Sequence, residues 1–136
     1  MPSNTRLPVA LLLLRLGVFV VMLMWTIDKF VRPQHAAAVF RQFYAITGLH
    51  APLAYLIGAL ELAVIIGFVL GFQKRLTYGA VFLLHGASTL ASFRQYLAPF
   101  GDHNLLFYAA WPMWAACFAL YSLRDLDTRW VLDKHA

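Results

Sequence analysis

Three ionisable residues stand inside otherwise apolar runs of this chain: Arg15, Glu61 and His85. Brought together, a guanidinium, a carboxylate and an imidazole can hold an ion pair, relay a proton, or bind the polar head of an amphipathic molecule. Each is costly in hydrocarbon unless paired, neutralised or turned toward water. Their depths favour pairing. At about 1.5 Å rise per residue, Arg15 lies roughly 12 Å along its run and His85 roughly 14 Å along another from the same side. Glu61, on an antiparallel run, lies roughly 16 Å from that side by the same rise. An Arg15–Glu61 ion pair with His85 alongside is therefore expected as a polar core. A pair of this kind can also act purely structurally, by fixing helix register.

A second group collects where the runs end on the opposite face: Asp28, Lys29, Arg94, Asp102, His103 and Asn104. It reads as a mouth for an anion or a quinone head group, or else as solvated helix ends. Tyr78, His85, Thr89, Ser92 and Tyr96 are spaced by 7, 4, 3 and 4 residues, which keeps them on one helical face. That stripe is expected to point inward, facing a similar row of Asn104, Tyr108, Trp111 and Ala115. His85 has no second histidine at its own level, since His103 comes 18 residues later at the membrane edge, so a haem is not expected. The single cysteine, Cys117, excludes an intramolecular disulfide and a multi-cysteine metal site, and no metal site is expected.

The elements that must position these residues follow from composition. The chain has 136 residues, 62% of them hydrophobic and 12% charged, with a mean hydropathy of +0.69. Those values place it outside the soluble globular class and make it a single transmembrane domain spanning residues 1–136. The net charge of +5 is scattered along the ends of apolar runs, leaving no basic face for nucleic acid. Four membrane helices are expected, over about 7–31, 51–72, 76–98 and 104–123. The run Leu7–Ile27 is too long for a signal-peptide core and is followed by no small-residue cleavage site, so it reads as a retained helix.

Between the first two helices, residues 34–48 carry Val39, Phe40, Phe43 and Ile46 at helical spacing with Arg41 and Gln42 opposite. An amphipathic helix at the interface is expected, ending at Gly48. Pro112 predicts a kink in the fourth helix. Gly67 and Gly71 form a GxxxG pair that could serve helix approach or a homo-oligomer. The tail from Arg124 onward, with Trp130, reads as a segment lying on the membrane surface.

The fold class is thus all-α: an integral membrane, four-helix, up-down-up-down bundle with an interfacial helix between helices 1 and 2. Arg6, Lys74, Arg75, Arg124, Arg129 and Lys134 fall on the side of the termini, against Lys29, Arg32, Arg41 and Arg94 on the other. Six against four puts both termini in the cytoplasm.

On these residues the chain resembles the DoxX-like family of small inner-membrane proteins. LLLLRLGVFVVMLMWTIDKF resembles the family's first helix, with Arg15 early and Lys29 near its end. GALELAVIIGFVLGFQKRLTYG resembles the second helix and its basic turn, through Glu61, Gly67, Gly71 and Arg75. DHNLLFYAAW resembles the opening of the fourth helix at Asn104, and SLRDLDTRWVLD the polar ending. The resemblance implies a four-helix protein of the plasma membrane in a redox or stress-related system, with a quinone as ligand and a redox partner protein. One branch of the family is a subunit of a thiosulfate:quinone oxidoreductase, and another assists maturation of a periplasmic redox enzyme. The paired cysteines of the maturation branch are absent here. Two further classes stay open: a non-catalytic membrane anchor for a peripheral enzyme, and a small transporter. No residue pattern requires that the chain be an enzyme.

Overall fold

The computed structural model of the chain describes residues 6–45, 47–48 and 51–133. Ile46, assigned above to the amphipathic stripe, and Lys134, counted for orientation, lie outside the described residues. Among these the structure is entirely helical: α1 (Arg6–Val31), α2 (Pro33–Tyr44), α3 (Ala51–Val69), α4 (Lys74–Ala91), α5 (Phe93–Leu97) and α6 (Ala110–Ser122). Short 3₁₀ segments cover Asn104–Ala109 and Arg124–Leu126. Three stretches are long and apolar enough to cross a membrane: α1, α3 and Asn104–Ser122. α4 has 18 residues but opens on Lys74-Arg75 and carries the polar stripe, so it is less apolar.

α1 packs on α3, α3 on α4, α4 on α6, and α6 returns to α1. Leu11, Val18, Ile65, Phe68, Tyr78, Val81, Cys117 and Leu120 form the core where they meet. Phe68 and Tyr78 meet edge to face at 5.0 Å, and Phe82 stacks on Trp114 at 5.7 Å. Cys117 is a buried core residue. Leu13, Val20, Leu60, Leu76, Leu83 and Leu90 lie on the outer surface. In water such a belt would be an aggregation liability, whereas in a bilayer it is solvated by acyl chains.

Gly86 lets α4 and α6 approach. A Cβ there would fall 2.7 Å from the Trp114 indole nitrogen, whose N–H donates to the Phe82 carbonyl at 3.2 Å. Gly86→Ala should therefore lower the unfolding midpoint in detergent, by an overpacking cost of about 1–3 kcal/mol. A midpoint equal to wild type would show that Trp114 yields freely.

Several boundaries differ from expectation, each for a local reason. The third helix starts at Lys74 and breaks at Ser92 instead of running to 98. There the Thr89 hydroxyl donates to the His85 carbonyl (2.7 Å) and the Ser92 hydroxyl to the Ser88 carbonyl (3.1 Å), back-bonding that bends a helix. The fourth helix opens as 3₁₀ and becomes α only at Ala110, so Pro112 occupies the first α turn, where its missing N–H costs little. The change of helix type thus falls just before Pro112.

α2 begins with Pro33 at its first position and stops at Ala45, which adopts φ 56° and donates its N–H to the Phe40 carbonyl. It therefore closes three residues before Gly48. Val39, Phe40 and Phe43 are half-buried while Arg41 and Gln42 are exposed. α2 folds back against α1, α3 and α4.

Candidate functional site

The charged residues of the interior fall into two clusters. The first is built on Arg15, which is fully buried, as is Asp127. Arg15 Nη1 meets Asp127 Oδ1 at 2.5 Å. Its Nη2 donates to the carbonyls of Arg129 (2.7 Å) and Trp130 (3.1 Å), and its Nε to the Val69 carbonyl (3.1 Å). The Tyr78 hydroxyl donates to the other Asp127 oxygen at 2.6 Å. Lys74, also buried, donates to the carbonyls of Arg124 (2.9 Å) and Asp127 (2.5 Å).

The segment after α6 is thereby drawn into the end of the helices. The Leu132 and Asp133 amides bond the carbonyls of Leu70 and Gly71, and the Asp133 carboxylate accepts from the Gln73 amide. Buried charges this well satisfied are a structural lock, one that becomes costly when a single partner is removed.

The expected Arg15–Glu61 pair does not form. Arg15 lies level with Val69, eight residues along α3 from Glu61, or roughly 12 Å at 1.5 Å per residue. Its counterion comes instead from the tail, which enters the interior where a surface segment was expected. His85 joins neither residue. Its Nε2 lies 3.3 Å from the Ala110 carbonyl on α6.

Glu61 belongs to the second cluster. Lys29 Nζ meets Glu61 Oε1 at 2.9 Å, with side chains only 11% and 19% exposed. The buried Thr26 hydroxyl donates to the Met22 carbonyl at 2.8 Å and lies 3.4 Å from the same Glu61 oxygen. Beside them Asp28 accepts from Arg32 Nε (2.7 Å) and pairs with His35 Nδ1 (2.5 Å), fastening the start of α2 to α1.

The far end of α2 brings in Tyr44, half-buried beside Ser88 of α4 and within the field of Glu61. Burial pushes the Tyr44 phenol above its ordinary pKa; the Ser88 contact works against that rise and the Glu61 charge adds to it. A cavity of about 20 Å³ lies between α1 and α2, lined by Trp25, Asp28, Lys29, Ala36, Val39 and Phe40. That is space for about one water.

Of the expected mouth, then, Asp28 and Lys29 reach this cluster. Arg94, Asp102 and His103 are exposed, Arg94 lying over the Phe93 ring at 5.7 Å. Asn104 donates to the Ala98 carbonyl (2.9 Å) and closes its own loop. Among the described residues, no hydrogen bond or ion pair joins these four to Asp28 or Lys29.

Of the stripe, Tyr78, Thr89 and Ser92 are buried and Tyr96 is half-buried. Tyr108 and Trp111 are 38% and 42% exposed and pack on Tyr96 from outside, each at 5.3 Å. The inward row of α6 is Trp114, Cys117, Leu120 and Tyr121. The 3₁₀ opening explains the error. At roughly 120° per residue rather than roughly 100°, six residues advance the phase by roughly 120°.

Gly67 and Gly71 are likewise taken up inside the chain: a Cβ on Gly67 would meet Thr77, and one on Gly71 would meet Val131. Asp127, Lys74, Thr26 and Tyr44 were missed as site residues. Only the Asp127 carboxylate, in a tail otherwise read as solvated, offered a sequence signal, as a possible counterion for Arg15.

Fold and site together define an all-helical protein with helices of membrane-spanning length and two interior charge clusters. No protein-family model matches the chain, and neither does any curated protein or solved structure.

Proposed function

We propose that the chain is a multi-pass protein of the plasma membrane, a four-helix up-down-up-down bundle of α1, α3, α4 and the Asn104–Ser122 helix. Both termini face the cytoplasm and α2 lies at the opposite interface. It serves a redox or stress-related system by binding an amphipathic ligand of quinone type at Lys29 and Glu61. The observation that carries this reading is the Lys29–Glu61 ion pair, set between two spanning helices beside an aromatic wall and only partly closed off. The Arg15 cluster is saturated by the chain's own groups, whereas Lys29 and Glu61 have few partners beyond each other. They offer one cationic donor and one acceptor to a ring bearing oxygen, with Trp25, Val39 and Phe40 for its apolar part.

Proton linkage follows from the same geometry. A head group that takes the Lys29 ammonium leaves Glu61 as a lone carboxylate between the helices, costly in hydrocarbon unless it is neutralised. Binding should therefore take up a proton, and Glu61→Gln should abolish that uptake with helical content unchanged. A pH-indicator dye in weakly buffered detergent, titrated with decylubiquinone, measures it; circular dichroism checks the fold. Normal uptake by a well-folded Glu61→Gln variant would remove this reading.

A further inference from the structure

Residues 127–133 form a strap between Arg15 and the α3–α4 turn, and the inner side of that strap is tied down. The Arg129 and Trp130 carbonyls receive Arg15, the Leu132 and Asp133 amides bond the Leu70 and Gly71 carbonyls, and Val131 lies against Gly71. The outer side has no such ties. Trp130 is 74% exposed and Leu132 65%, and Phe72, between Gly71 and Gln73 of the turn, is 47% exposed. Arg75 and Arg129 are exposed too, and among the described residues neither makes an ion pair. The strap's own carboxylates are occupied, Asp127 by Arg15 and Tyr78, Asp133 by the Gln73 amide. Asp125, just before the strap, is the one exposed carboxylate set against these two arginines. The patch is therefore apolar and cationic at once.

Its most exposed residue is also strained. Trp130 stands at φ 56°, in the left-handed region that a bulky L-residue enters only at a cost. Glycine or asparagine would bring the same carbonyl to Arg15 with less strain, so the turn alone does not call for an indole. Strain held at a residue whose side chain is turned outward points to a use outside.

Resting on the membrane reading above, we infer that the strap is an anchor for anionic phospholipid head groups. Arg75 and Arg129 take the phosphates, which a guanidinium fork matches in shape and charge. Trp130 and Leu132 sit just below, at the boundary where an indole finds both a wet and an apolar side. The cytoplasmic leaflet, where this end of the protein is placed, is the one that carries anionic lipid. By fixing the strap's backbone, the Arg15–Asp127 lock also sets the height at which the bundle rides in the bilayer.

The test uses the full-length protein in phosphatidylcholine vesicles with a minor fraction of brominated lipid, read by tryptophan quenching. The contributions of Trp130 and of Trp25, which is 52% exposed on α1, are identified by their loss in Trp130→Phe and Trp25→Phe. Bromine near the head group should quench Trp130 more than bromine at the bilayer centre. Brominated phosphatidylglycerol should match the quenching of a roughly fivefold higher fraction of brominated phosphatidylcholine, and Arg75→Gln/Arg129→Gln should abolish that preference. Trp130→Asn should hold or raise the unfolding midpoint in detergent, since it relieves strain and removes little packing. Equal quenching of Trp130 by the two lipids, a preference that survives in the double variant, or a lowered midpoint in Trp130→Asn overturns the anchor. Quenching of Trp25 but not Trp130 does the same and leaves the membrane reading standing. Quenching of neither overturns both.

Discussion

Asp127→Ala should cost about 3–5 kcal/mol of stability, because it strands a buried guanidinium with carbonyl oxygens as its remaining partners. Tyr78 loses its acceptor in the same step, and the tail loses its main tie to α1. The expected result is a protein that extracts in low yield and melts far below wild type, followed by circular dichroism in detergent. Removing both charges, as Arg15→Met with Asp127→Ala, should recover part of the loss, since it is the unpaired charge that destabilises more than the missing pair. An Asp127→Ala variant melting with wild type would show that the tail is not a lock. A double variant as unstable as the sum of its parts would show that Arg15 and Asp127 act independently.

Gly71→Val should release the same tail by a different route. Gly71 sits at φ 64°, where an L-residue pays about 1–2 kcal/mol and a β-branched one more. Its new Cβ would also fall on the Val131 side chain and lie 3.1 Å from the Val131 Cα, so the strap cannot stay where it is. Together these should cost on the order of 3 kcal/mol or more. Limited trypsinolysis reads it directly, because Arg124 and Arg129 become cleavable once the strap leaves. Gly48 supplies the control. It has φ 81°, and a Cβ added there would meet nothing within 4 Å, so Gly48→Ala carries backbone strain without a clash and should leave the tryptic pattern unchanged. Unchanged cleavage in Gly71→Val would mean that Val131 does not need this close approach.

What could be read from the sequence was whatever depends on local chemistry. Apolar runs bounded by Pro33, Gln73-Lys74-Arg75 and Pro99 marked the helices, and the scarcity of charge within them pointed to hydrocarbon. Arg15, Glu61 and His85 stood out because each breaks a run, and Lys29 because it closes one. The pairings were not legible, because counting residues gives depth along a helix but not the angle around it or the relative slide of two helices. Arg15 and Glu61 share a nominal depth, yet α1 outlasts α3, and the tail reaches Arg15 first. Tyr108 and Trp111 went wrong for a related reason. A 3₁₀ opening looks like an α-helix in sequence but turns the following residues to another face. Asp127 was hidden by its setting, since an aspartate among arginines near a chain end ordinarily belongs to solvent.

The separation of 112 positions from Arg15 to Asp127 also imposes an order on biogenesis. On the proposed membrane reading, the guanidinium reaches the bilayer long before the carboxylate that neutralises it is made. Throughout that interval the first helix holds an uncompensated charge, which favours shallow residence near the lipid head groups or shelter by the insertion machinery. On that reading, full seating of α1 waits on the arrival of the Asp127 segment. A nascent chain interrupted before that point would carry a visible defect in its first helix, a mark by which membrane quality control could tell unfinished molecules from finished ones.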